Sequence, residues 1–188
     1  MRKLIIALPR TGSSSLLDTI SKKDNLKSIF EPFDGTNRFP YIESEDNIIV
    51  KTMVFQFPKG VKPTNDFWLK FSKQFDETIL LSRRNLKEQC ESYAYFLYNR
   101  GNTFTSNTEY VWRLTPNYNV AEYKLKEWRA ALHSLSLELN IPITYYEDIY
   151  DINDSNKLRK YKNNLGIFAY ISMYIRGRYN RGTRFSYG

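Results

Sequence analysis

Short apolar runs alternate with longer amphipathic stretches along this chain, the pattern of an α/β fold built on a mostly parallel sheet. Leu4–Leu8 is a continuous apolar run and predicts a strand buried on both faces. A helix is expected from about Ser14 to Lys22, with Leu16, Leu17 and Ile20 on one side. Ile48–Val54 and Thr78–Ser82 predict two more strands, and Ile143–Tyr146 a fourth. Asn85 opens a helix in which Cys90, Tyr93, Ala94 and Leu97 share a face. The longest helix is expected from about Val120 to Leu139, stopped by Asn140 and Pro142. Between these two helices, residues 99–119 show no clean period, and a polar loop of that length is usually either functional, as a lid or substrate loop, or mobile.

The 188 residues suffice for one well-filled core and are short for two domains. With no repeat and no linker-like stretch, residues 1–188 are expected to form a single domain ending in a basic segment over 170–188. The net charge of +8 suits an anionic partner but does not choose among nucleic acid, membrane surface and phosphorylated or sulfated small molecules. Cys90, the single cysteine, excludes an internal disulfide framework and fits a reducing compartment. The start MRKLIIALPR imitates a signal peptide, yet its apolar run is too short and ends in Pro9-Arg10. No stretch reaches the roughly 18 apolar residues of a membrane span, so a cytoplasmic protein is expected.

The candidate chemistry lies directly after the first strand, in Pro9-Arg10-Thr11-Gly12-Ser13-Ser14. A strand that feeds a turn and then a helix aims the first free N–H groups of the helix at the turn, and those donors favour a phosphate-like anion. Gly12 allows close backbone approach, Ser13 and Ser14 offer hydroxyls, and Arg10 adds a permanent charge. An ATP- or GTP-binding phosphate loop would place Lys directly after that glycine, with Ser or Thr next. Ser13 stands there instead, and the cation lies two residues before Gly12.

This arrangement resembles the 5′-phosphosulfate loop of the sulfotransferases that use 3′-phosphoadenylyl sulfate (PAPS). Arg84 and Ser92, at a strand end and within the following helix, resemble that family's pair for the 3′-phosphate, with Leu86 where the family has proline. Phe30-Glu31-Pro32 is similar to the Glu-Pro element of its bacterial and carbohydrate-type members, and Ile143–Ile149 (ITYYEDI) to a late structural segment. The resemblance reaches from about Leu4 to Ile149. It implies a three-layer α/β/α, P-loop-NTPase-like sulfotransferase fold. It further implies PAPS or 3′,5′-ADP bound by Arg10, Thr11, Gly12, Ser13, Ser14, Arg84 and Ser92, and no metal. Arg10 would stabilise the leaving phosphate and Lys51 the transferred sulfonate. Met53 stands where the cytosolic branch has its catalytic histidine, so Glu31 is the expected base. The expected acceptor is a carbohydrate or small hydroxylated metabolite, lined by residues 33–47 and 99–119.

The only histidine, His133, falls within the long helix, away from every motif, and is read as a surface or partly buried helical residue. The run of Arg176, Arg178, Arg181 and Arg184 among tyrosines and glycines would suit single-stranded nucleic acid, but a solvated basic tail accounts for it more simply. Two other functions compete: a P-loop-like nucleotide kinase with an altered loop, and a non-catalytic protein that binds nucleotides or nucleic acid.

Overall fold

The computed structural model describes residues 1–34, 42, 45–99 and 118–150. Five strands form one sheet: β1 (Arg2–Ala7), β2 (Lys27–Phe30), β3 (Ile48–Met53), β4 (Glu77–Ser82) and β5 (Ile143–Tyr145). Their order is β2-β3-β1-β4-β5, and every neighbouring pair is parallel. Consequently all five carboxyl ends lie along one edge of the sheet. β1 sits at the centre, and the chain visits β2 and β3 on one side of it before crossing to β4 and β5 on the other. Open parallel sheets bind ligands at such a reversal, outside the carboxyl ends of the strands.

The helices are α1 (Ser13–Asp24), α2 (Asn65–Ser72), α3 (Leu86–Asn99), α4 (Tyr118–Leu139) and the short α5 (Tyr146–Ile149). Side chains alternate across a strand, and β1 shows how this divides the core. Leu4, Ile6 and Leu8 join Ile48, Val50 and Leu80 against Trp68 and Phe71 of α2 and Leu132 and Leu135 of α4. Ile5 and Ala7 face the other way, with Ile49 and Leu81, onto Leu16 and Leu17 of α1. The expected three-layer α/β/α arrangement with a parallel central sheet is therefore what the chain adopts. α3 packs its Cys90, Tyr93, Ala94 and Leu97 on Ala121 and Leu125 of α4, the face foreseen from its spacing.

Three elements carry too little pattern to be foreseen, one of them the four-residue α5. β2 (KSIF) is an edge strand that buries only Ile29, and α2 spans just eight residues. α2 nevertheless supplies the largest buried side chain, Trp68, whose indole Nε1 donates to the Val54 carbonyl oxygen at 3.1 Å. Among the described residues no helix is long and apolar enough to cross a membrane. Most of the expected acceptor loops (residues 35–41 and 100–117) and the basic segment with Arg176, Arg178, Arg181 and Arg184 lie outside the described residues.

Candidate anion site at the carboxyl edge of the sheet

β1 ends at Ala7, and the chain turns through Leu8–Thr11 into α1. Gly12 is the residue before the helix, at φ 70°, and a Cβ there would lie 2.8 Å from the Tyr146 ring and 3.1 Å from Tyr150. A side chain at this position would meet both a left-handed backbone and an occupied space. Arg10 also has positive φ, 63°, an arrangement that costs a non-glycine residue about 1–2 kcal/mol. Such strain persists only where the surroundings impose it, and here they do. The Thr11 hydroxyl is buried and donates to the Leu8 carbonyl oxygen at 2.7 Å, so it braces the turn from within. Ser13 is buried at the helix start, while Ser14 is exposed beside it. The first N–H groups of α1 have no partner within the helix.

The fold brings Ser92 of α3 to this loop, where it accepts a hydrogen bond from Arg10 Nε at 2.9 Å. The Arg10 guanidinium also stacks 5.5 Å from the centre of the Phe96 ring. Lost hydration, and next the charge of Arg83, push the pKa of Arg10 below its ordinary value. Arg83 follows β4 directly and is only 6 % exposed. It pairs with Glu88, lies 3.7 Å from Glu147 and sits 5.1 Å from the centre of the Tyr146 ring. Arg10 and Arg83 thus follow the adjacent strands β1 and β4, with Arg83 paired to Glu88.

Arg84 is placed differently from expectation. Its guanidinium is exposed, grips both carboxylate oxygens of Asp148 and lies 4.5 Å from the centre of the Tyr145 ring. Glu147 accepts hydrogen bonds from the backbone N–H of Arg84 at 2.9 Å and of Asn85 at 3.2 Å, at the entrance to α3. Burial works against the Glu147 charge, but these backbone donors and Arg83 outweigh it and hold its pKa below the usual carboxylate value. The Arg84 partner holds the Asp148 pKa low as well. Tyr-Glu-Asp-Ile is therefore a clasp that joins β5 to the strand end of β4.

On the other side of β1, Glu31 and Lys51 form a second cluster at the same edge. Lys51 is 1 % exposed, pairs with Glu31 Oε1, and has its ammonium 4.2 Å from the centre of the Phe30 ring. Gln56 Nε2 donates to Glu31 Oε2 at 2.8 Å. Burial pulls the Lys51 pKa below the ordinary lysine value despite the opposing pull of Glu31. Glu31 itself has φ 44°, a second strained position at a strand end.

Of the residues expected at the site, Arg10, Gly12, Ser13, Ser14 and Ser92 converge on the first loop. Glu31 and Lys51 pair one strand away, and Arg84 turns to Asp148. Arg83 stands beside Arg84, but its spacing to Ser92 is off by one, so the motif did not select it. Sequence reasoning missed Gln56, Gln89, Arg129 and Tyr150, none of which lies in a recognisable spacing, and read Tyr146 only as part of a structural segment. His133 is an exposed residue of α4.

No protein-family model and no curated protein matches the chain. Among the solved structures that resemble it are the following two. One is the YorR protein of Bacillus subtilis in complex with phosphorylated GDP, with 12% identity, TM-score 0.49, and coverage of 88% of this chain and 96% of that one. The other is the deoxyadenosine kinase of M. mycoides with bound dATP, with 15% identity, TM-score 0.44, and coverage of 87% and 100%. The sulfotransferase expectation is corrected here. These two structures are a nucleotide complex and a deoxyadenosine kinase, and neither is described as a sulfotransferase.

Proposed function

We propose that the protein binds the phosphates of a nucleotide on the loop between β1 and α1 and transfers a phosphoryl group to a small hydroxyl-bearing acceptor. One arrangement carries this reading: β1 feeds a turn and then α1 through the left-handed Gly12, and Arg10 of that turn is held at the helix start by Ser92 and Phe96. Free N–H groups at a helix start, with a cation beside them, favour a polyanion.

The loop has Ser13 where a nucleoside triphosphate loop carries Lys, and Arg10 supplies the missing cation from the preceding turn. Phosphoryl transfer asks the protein mainly for positioning and charge stabilisation, which two guanidinium groups and a helix start provide. Magnesium bound to the nucleotide would neutralise phosphate charge, and the Ser14 hydroxyl occupies the Ser/Thr position suited to it. The acceptor oxygen forms its bond to the terminal phosphorus as the bond to the nucleoside diphosphate breaks. Glu31 is the group proposed to take the hydroxyl proton, with Lys51 beside it.

Calorimetric titration with magnesium ATP, magnesium GTP and 3′,5′-ADP tests the reading. A triphosphate is expected to bind more tightly than 3′,5′-ADP, and Arg10→Ala to weaken it at least about tenfold, the scale of a lost charge-assisted phosphate contact. Tighter binding of 3′,5′-ADP, or no triphosphate binding, overturns it.

A further inference from the structure

A buried polar relay ties the two arms of the anion site together. Gln89 lies in the first turn of α3 and is fully buried. Its Nε2 donates to the Pro9 carbonyl oxygen, in the first loop, at 2.8 Å. Its Oε1 accepts from Arg129 of α4, at 3.3 Å from Nε and 3.1 Å from Nη2. Arg129 Nη2 also donates to the Arg83 carbonyl oxygen and, at 3.4 Å, to that of Arg84. Burial lowers the Arg129 pKa from its ordinary value.

A buried amide and a partly buried guanidinium are costly unless their groups are satisfied, and here two strand-end loops supply the acceptors. Pro9 precedes Arg10, and the other carbonyls belong to Arg83 and Arg84. The relay therefore fixes the backbone from which each arginine of the site projects. We infer that Gln89 and Arg129 are positioning residues that set the spacing of Arg10 and Arg83 around a bound polyphosphate. This rests on the phosphate-binding reading of the loop. Neither residue needs to touch the ligand; each acts through the backbone of a residue that does.

The test uses magnesium ATP as the probe, read by calorimetry on the folded protein with thermal unfolding in parallel. Gln89→Met keeps the side-chain length and removes both polar groups. Arg129→Lys keeps the charge and removes the fork, and it carries the test if Gln89→Met does not fold. Each is expected to weaken the probe about tenfold, the scale on which supporting partners of a site act. If the relay works by placing Arg10, the penalty falls below about twofold in an Arg10→Ala background, because the two losses are then coupled. A merely structural role would lower the melting temperature and leave both affinities of the folded protein unchanged. Native protein that binds the probe while both variants bind it equally well overturns the relay alone. Native protein that does not bind removes the phosphate reading, and the relay with it.

Discussion

Arg10 combines two properties that rarely serve stability: a left-handed backbone and a charge set against Arg83. Glycine at this position would relieve the strain, worth about 1–2 kcal/mol, while losing the bond to Ser92 and the contact with Phe96. Arg10→Gly is therefore expected to melt at the native temperature or above, with its phosphate affinity lost. Thermal unfolding paired with titration checks this, and a large drop in melting temperature would show Arg10 to be a structural residue. Thr11 marks the contrast within the same turn. Its hydroxyl is committed to the Leu8 carbonyl, so the residue holds the loop rather than a ligand.

At the scale of elements, the start of α3 depends on a residue from the far end of the described chain. Glu147 of α5 accepts from the backbone N–H groups of Arg84 and Asn85, fixing the turn from which Asn85 Oδ1 caps the helix by accepting from the Glu88 N–H. Its pKa is lower in the folded chain than in the unfolded one. The stability it contributes is therefore full above the ordinary carboxylate value of about 4.3 and lost as pH falls through its folded value. Glu147→Gln is expected to cost about 1 kcal/mol at neutral pH, the usual net scale of a hydrogen bond, and progressively less in acid. Melting curves from pH 7 down to pH 3 read the convergence of the two proteins. A difference that stays constant with pH would assign the effect to shape instead of charge.

For the whole molecule, the sheet is held on one face by α2 and α4, and Trp68 stands at the centre of that layer. Its ring meets Phe33, Phe57, Phe67 and Phe71, and its indole N–H satisfies the Val54 carbonyl just beyond β3. Trp68→Ala is expected to cost about 3–5 kcal/mol in chemical denaturation, from the cavity and the orphaned carbonyl together. Since β3 carries Lys51 and pairs with β1 above the anion loop, this loss would also loosen the carboxyl edge.

The alternation of apolar runs with amphipathic stretches determined the α/β class, four of the five strands and the buried face of α3. These are local consequences of which residues prefer water and at what spacing. The Pro-Arg-Thr-Gly-Ser-Ser turn likewise announced an anion site, because a strand, a glycine and a helix start suffice to aim N–H donors. Tertiary structure decided the rest. β2 and α2 are too short to carry a pattern of their own and form because the sheet edge and its apolar face need covering. Arg83 and Arg84 are adjacent and chemically identical, and the turn from β4 into α3 sent them apart, one to a buried position beside Tyr146 and the other to Asp148. Gln89 and Arg129 bear no motif, and their roles exist only where Pro9, Arg83 and Arg84 turn carbonyl groups inward. Spacing along the chain records which groups can be neighbours on one element. Which carbonyl meets which guanidinium, across elements some forty to eighty residues apart, depends on how the layers pack.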